Sequence, residues 1–465
     1  MITLLVGTAH ADLSQSAAAL PQPTPSVSSI PIPGSELSQL PDILSGSGEH
    51  NANADFVWTL EEVQKIASNQ NPDLKSARSN YEATAKVVGE SVSGYLPHVD
   101  VEADFEQTTL PNPSALSSGL IGTAANYSTA IVSVRQLLFD FGKVLSQIQA
   151  STSRSHSAEQ QAIAVKIAVK LSVQRAFYNV VEAQNLVLVA KEALKQFEET
   201  HRRTEVLVRT GARPAFDLTQ ANVELSKAKL GQISAENSRD LSKIALLNFM
   251  GIQKQVSFEL KEIAEMESVT AQKLNLTKLT DEALKLRPEV HESEFSLDAV
   301  RGDLHAESRD YFPTISVHAW YARYLPDFPP PLDNSWGVGV GATWHIFEGL
   351  KTTFRVGELS ARVDQQEANL EKTRESISAE VATSYMDLVR SESDLQVANE
   401  TLAFAKENLR LADKRYQANV ATILELLVAE TSLVNSEAVA VQSRYRHEIA
   451  LASLERAVNG PLLDK

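Results

Sequence analysis

Residue types capable of covalent chemistry are present but are not gathered. The ten histidines are scattered over 465 residues, no HExxH or comparable ligand spacing occurs, and there is no serine elbow or phosphate loop. There is no cysteine, so neither a thiolate metal site nor an N-terminal cysteine lipid anchor is expected, and the composition suits an oxidising compartment. The run Gly337-Val338-Gly339-Val340-Gly341 is not a nucleotide loop. Its glycines alternate with apolar residues inside a strand pattern, as expected where one face of a strand meets a crowded interior. No catalytic constellation, metal or cofactor is expected. What remains is charge placed at turns. Asp217 stands near the start of a helix, where the dipole favours a carboxylate. Glu425, read alone, is a solvated helix residue, and Tyr416 continues an apolar seam.

These residues sit at matching places because the chain is a tandem duplication. Tyr95-Leu96-Pro97 returns as Tyr311-Phe312-Pro313, and Asn71-Pro72-Asp73-Leu74 as Arg287-Pro288-Glu289-Val290, both at an offset of 216 (313 − 97). Further on, Leu138-Phe139-Asp140 returns as Ile346-Phe347-Glu348 and Asp217-Leu218 as Glu425-Leu426, both at 208 (425 − 217). A surface loop between Pro97 and Phe139 absorbs the difference. The expected organisation is a signal-peptide remnant at 1–11, ending in Ala9-His10-Ala11, and a Pro/Ser-rich arm at 12–55 with no capacity for a core. Repeat 1 follows at 56–252, a connector at 253–277, repeat 2 at 278–460 and a tail at 461–465.

Net charge is −16 with a pI near 5.2, so a nucleic-acid partner is excluded, and any water-filled path is biased toward cations. No run of 18 or more apolar residues follows the N-terminus, which excludes a transmembrane helix but not a membrane barrel. Four segments carry a strand's alternation. Val99, Val101, Ala103 and Phe105 oppose Asp100, Glu102, Asp104 and Glu106; Ala130, Val132 and Val134 share a face of the run from Tyr127 to Leu137. In the second half Ile315, Val317, Ala319 and Tyr321 alternate with Ser316, His318 and Trp320, and Trp336, Val338, Val340, Ala342 and Trp344 alternate with the glycines. Three of the four tryptophans fall in this second hairpin, with Tyr321 and Tyr324, as expected of an aromatic girdle.

The rest is helix. Val169, Val173, Ala176, Val180, Ala183, Val187, Ala190, Leu194 and Phe197 keep a 4,3,4,3 spacing, and so do Ile377, Val381, Ser384, Leu388, Ser391, Leu395, Ala398, Leu402, Ala405, Leu409, Ala412 and Tyr416. A proline-free helix from Phe141 to about Arg209 spans about 100 Å at 1.5 Å per residue. Each long helix ends in a turn: Thr210-Gly211-Ala212-Arg213-Pro214 in the first copy, with Asn419 at the glycine position in the second. Return helices then run from Pro214 to about Met250 and from about Thr422 to Val458.

Four strands cannot close a membrane barrel, whose minimum is about eight, so the chain must assemble with copies of itself. The duplicated helix-strand-strand-helix unit, the Tyr-Leu-Pro and Tyr-Phe-Pro lead-ins, the Leu-Phe-Asp and Ile-Phe-Glu exits and the two turn motifs together resemble the TolC family of outer-membrane efflux proteins, over nearly all of 55–460. That resemblance implies a mainly α fold with a β-barrel part. In it, a homotrimer builds a twelve-stranded barrel in the lipid of a Gram-negative outer membrane, continued by a periplasmic α-helical barrel of coiled coils. It implies the exit duct of an efflux pump or type I secretion system, with a periplasmic adaptor and an inner-membrane pump or ABC transporter as partners. A soluble periplasmic coiled-coil scaffold is the alternative, and it leaves the strands unexplained.

By position in the motif, the resemblance places a pore-constricting carboxylate at Glu425, with Val428 where a second acid would stand. It places a gate latch at Tyr416 and Asp217, with Ala421 where the latch arginine would stand, so one closing contact is expected to be missing. Gly211, Arg213 and Asn419, in the tip turns, are the residues expected to meet the adaptor.

Overall fold

A computed structural model describes residues 56–109, 124–253, 256, 258–261, 274–326 and 334–460. The expected leader, arm and tail, most of the connector, the Pro111/Pro113 loop and most of the second hairpin loop lie outside them. Each repeat opens on two helices rather than one. α1 (Leu60–Gln70) and α2 (Pro72–Ser93) break at Asn71, whose backbone is extended at φ −62°, ψ 125°. Pro72 has no N–H to continue the upstream helix and pushes the preceding residue out of the helical region. The Asn71 side chain caps α2 by accepting from the N–H groups of Asp73 and Leu74. A short strand β1 (Phe56–Trp58) precedes them, and its partner β4 (Phe258–Leu260) lies in the expected connector. The two pair in parallel, tying the start of repeat 1 to its end.

The second repeat opens likewise, with α5 (Leu276–Leu286) and α6 (Pro288–Ser308) broken at Arg287. This arginine is buried, donating to Glu289 and Glu380 at 2.6 Å each and to the Ala457 carbonyl. It joins the start of the second repeat to that repeat's long helix through Glu380 and to its last helix through Ala457.

Strands β2 (His98–Thr109), β3 (Ala124–Phe139), β5 (Thr314–Pro326) and β6 (Ser335–Thr343) form one antiparallel sheet in the order β2-β3-β5-β6. Registry puts Val101, Val132, Tyr321 and Trp336 in one row, and Val99, Val134, Ala319 and Val338 in the next. These rows make a continuous, exposed apolar face. The opposite face carries Asp100, Glu102, Asp104, Arg135 and His318. Trp320 belongs to that polar face and not to a girdle, because it pairs with Gly337. A Cβ at Gly337 would meet Trp320 Nε1 at 2.7 Å, and one at Gly339 would meet His318 Nε2 at 2.9 Å, so both glycines make room for rings.

The long helices are α3 (Lys143–Arg209) and α7 (Lys351–Gln417), 67 residues each, and the return helices are α4 (Ala215–Met250) and α8 (Ile423–Val458), 36 residues each. Every boundary repeats at 208 (351 − 143; 423 − 215). The strands enter the long helices through paired left-handed residues, Phe141/Gly142 and Gly349/Leu350. Asp140 fastens the first entry by accepting from the N–H groups of Gly142 and Val144. In α7 the buried residues Ile377, Val381, Leu388, Ser391, Ala398, Ala405 and Tyr416 all fall on the seam read from the sequence. Two other rows stay uncovered: Phe216, Val223, Leu230 and Ile244 on α4, and Val397, Phe404 and Leu411 on α7. Among the described residues, no helix is long and apolar enough to cross a membrane.

Candidate functional site

The candidate site is the pair of turns at the far ends of the long helices. Both are closed by the same local geometry. Gly211 sits at φ +76°, and the N–H groups of Ala212 and Arg213 return to the Leu207 carbonyl at 2.9 and 3.2 Å. Asn419 sits at φ +59°, with Val420 and Ala421 returning to the Arg415 carbonyl at the same two distances. Left-handed caps of this kind favour Gly and then Asn, as these turns have.

The next helices start differently. Pro214 caps α4 and offers no side-chain acceptor. Thr422 caps α8 in a reciprocal box with Glu425: the Glu425 N–H donates to Thr422 Oγ1 and the Thr422 N–H to Glu425 Oε1, each at 3.3 Å. Glu425 also faces Arg415 at 3.4 Å and is exposed. The charge is therefore in solvent, but it is partly answered.

The two turns are tied by Arg213. Its Nη2 donates to Asn419 Oδ1 at 3.1 Å, to the Ala421 carbonyl at 3.3 Å and to the Tyr416 carbonyl at 3.5 Å, and its guanidinium lies 4.6 Å from the centre of the Tyr416 ring. Position 213 is the duplicate of 421 (421 − 208). An arginine absent from position 421 thus stands at the matching place in the other turn, from which it bonds across the pair. Arg213 and Asn419 bond to each other across the two turns, with Arg213 half-buried and Asn419 still exposed. Beneath lies an apolar plug of Ala193, Phe197, Tyr416, Ala421, Ile423, Leu426 and Leu427.

A family model described as outer membrane efflux protein matches residues 63–252 and 279–460, the two repeats. The chain belongs to the outer membrane efflux protein family. It is 24% identical over 415 residues to the toluene efflux pump outer membrane protein TtgC of Pseudomonas putida, covering 86% of this chain and 83% of that one. It is 22% identical over 417 residues to the outer membrane protein TolC of Vibrio cholerae, covering 86% and 91%. Its fold matches that of the CmeC outer membrane channel of Campylobacter jejuni with a TM-score of 0.77 at 18% identity, covering 89% and 90%. As a member of this family the chain is an outer-membrane efflux channel that extends into the periplasm, and the soluble scaffold is set aside.

Within this efflux protein, Tyr416 and Asp217 are both buried, but the Tyr416 hydroxyl has no hydrogen-bond partner among the described residues. The two side chains are not bonded to each other here. Val428, where a second acid would stand, is exposed. Sequence reasoning passed over Arg203, which pairs with Asp413 at 2.7 Å and joins α3 to α7, and over Glu430, which is buried on α8 against Thr200 at 2.6 Å. A carboxylate in a row otherwise apolar, Leu426, Leu427, Leu433, was the one available signal for Glu430.

Proposed function

We propose that this efflux protein works as a homotrimer, forming the exit duct of a tripartite pump that receives cargo from an inner-membrane pump through a periplasmic adaptor. The observation that carries the reading is the sheet. It has one continuous apolar face, four strands, and outer edges on β2 and β6 that have no partner strand among the described residues. An open edge is not tolerated in hydrocarbon, and three such sheets supply the twelve strands of a closed barrel. The uncovered rows on α4 and α7, spaced by sevens, support the same assembly, since each is a seam awaiting a second helix. Relatives named for a toluene efflux pump and a cation efflux system favour an efflux partner over type I secretion.

In this duct Glu425 is the proposed constriction carboxylate, one per protomer. Arg213 joins Tyr416 and Asp217 as a latch residue. Gly211, Ala212 and Asn419, with the exposed Val420, offer the adaptor surface. The test is conductance of the purified oligomer in a planar bilayer, wild type against Glu425→Ala. A small, cation-preferring pore whose preference falls in the variant supports both duct and constriction. A pore unchanged by the substitution moves the constriction elsewhere, and a folded oligomer with no conductance refutes the duct.

A further inference from the structure

Two turns into α8, Glu430 is only 3% exposed. One of its oxygens accepts from Thr200 Oγ1 on α3 at 2.6 Å, and Thr200 is itself buried. The other, Oε2, is buried and makes no hydrogen bond of ordinary geometry among the described residues, although the Gln196 side chain lies near the carboxyl. Beside it lies a cavity of about 570 Å³ between α3, α7 and α8. The charged groups facing this space are Glu192, Lys195, Glu199 and Arg203 from α3, Lys406, Arg410 and Asp413 from α7, and Glu437 from α8. The cation acting most on Glu430, Arg203, is already held by Asp413 at 2.7 Å and Glu199 at 3.6 Å, and Arg410 is held by Glu407 at 2.6 Å. No salt bridge reaches Glu430 among the described residues.

A carboxylate in this position would have an unsatisfied, desolvated charge, whereas a carboxylic acid needs no counter-ion. We propose that Glu430 is a proton-binding site fastening α8 to α3 just above the paired turns, so that protonation tightens the closed tip and loss of the proton loosens it. This rests on the reading of those turns as the closing end of a duct. Burial is the dominant influence on the Glu430 carboxyl, and it lifts the group from 4.5 to about 7 against the opposing help of Thr200, Gln196 and Arg203. If α8 lifts away and the group meets water, its ordinary value returns. Between those limits the docked arrangement holds a proton that the released one does not. Docking is therefore strongest in acid, and it weakens relative to release, by up to roughly 300-fold, as pH rises through 7.

The experiment joins two readouts on the purified full-length oligomer: infrared titration of protonated carboxyl groups, and bilayer conductance from pH 5 to 8.5. The expected result is a carboxyl band titrating near neutrality that Glu430→Gln removes. Conductance should rise over the same range in the wild type and stay low and flat in Glu430→Gln. Thr200→Val, which deletes the neutral tie and keeps the carboxyl, should conduct more at pH 5 than the wild type. A pore whose conductance ignores pH, or whose pH response survives Glu430→Gln, overturns the proposal and leaves the duct standing. A folded oligomer that never conducts overturns the duct and this gating role with it, whatever the infrared band does.

Discussion

Replacing Arg213 by Met keeps the stem but removes the tie between the two turns. Arg213 Nη2 lies within reach of three oxygens but has two hydrogens, so two bonds form at a time, and at 3.1 and 3.3 Å both are at the long end of the range. Each contributes about 1.5 kcal/mol as a charge-assisted bond, and the guanidinium over Tyr416 about 1 kcal/mol. Against this, Arg213 Nε is buried without a partner, which costs about 1 kcal/mol, and ordering the side chain costs about 1 more. The net is about 2 kcal/mol, or roughly 30-fold in the population of an opened tip. Hydrogen exchange in the folded oligomer measures it: the amides of Ala418–Ala421 should exchange roughly 30-fold faster in Arg213→Met. Arg213→Lys, with a single ammonium in place of the fork, should fall between. Exchange at both turns within about threefold of wild type in Arg213→Met would refute the tie.

Glu425→Gln keeps an acceptor for the Thr422 N–H while removing charge, and Glu425→Ala removes both. Cation preference, read as a reversal potential, should fall in both variants, but only the alanine should lose about 1 kcal/mol of stability. Arg415→Gln should raise cation preference, because it frees the Glu425 carboxylate. Gly337→Val drives a side chain into the Trp320 indole, so the yield of SDS-resistant oligomer should drop, with recovery in the double variant Gly337→Val/Trp320→Ala. Arg287→Met leaves Glu289 and Glu380 to Arg456 alone. Breaking a fully buried pair costs about 3–5 kcal/mol, and partial exposure of the two carboxylates reduces this to about 2. Burial alone pushes the Glu289 carboxyl up, but the hydrogen bond and charge of Arg287 outweigh it and hold the group below 4.5. Its contribution is therefore present at neutral pH and lost as pH falls through that depressed value. The unfolding midpoints of wild type and Arg287→Met should converge in acid.

The duplication, the strand alternation and the heptad seams were legible because each is a periodicity, and a periodicity averages over many residues. The seam of α7 is the clearest case: no position buried from Ile377 onward departs from it. The boundaries of the 36-residue return helices were legible from Gly211, Pro214 and Asn419, which each answer a backbone requirement. The breaks at Asn71 and Arg287 were not legible as helix breaks, although each precedes a proline, since a proline only biases the preceding residue away from the helical region. The β1–β4 pair was hidden because three residues carry no period, and its partner lies about two hundred residues away. Alternation already set Trp320 on the side of Ser316 and His318, but its packing over Gly337 was not legible, since only registry brings the two together. Glu430, and the tie that Arg213 makes to the second turn, could not be found by motif, because each depends on a partner in the other repeat.

Across that contact the two tips share a backbone geometry but differ in their side chains. Two turns of one backbone geometry meet at the tip, and an arginine at 421 as well as at 213 would bring two guanidinium groups together. Like charges so placed repel. In this chain the first turn keeps the arginine and the second presents carbonyls and Asn419 to it. The second turn keeps its acid exposed beside Arg415, and the first buries Asp217. Backbone requirements preserved Gly and Asn at the left-handed caps in both copies, and side-chain requirements forced the neighbours apart. The two repeats thus share a scaffold, and the contacts that fasten one tip to the other use residues that differ between them.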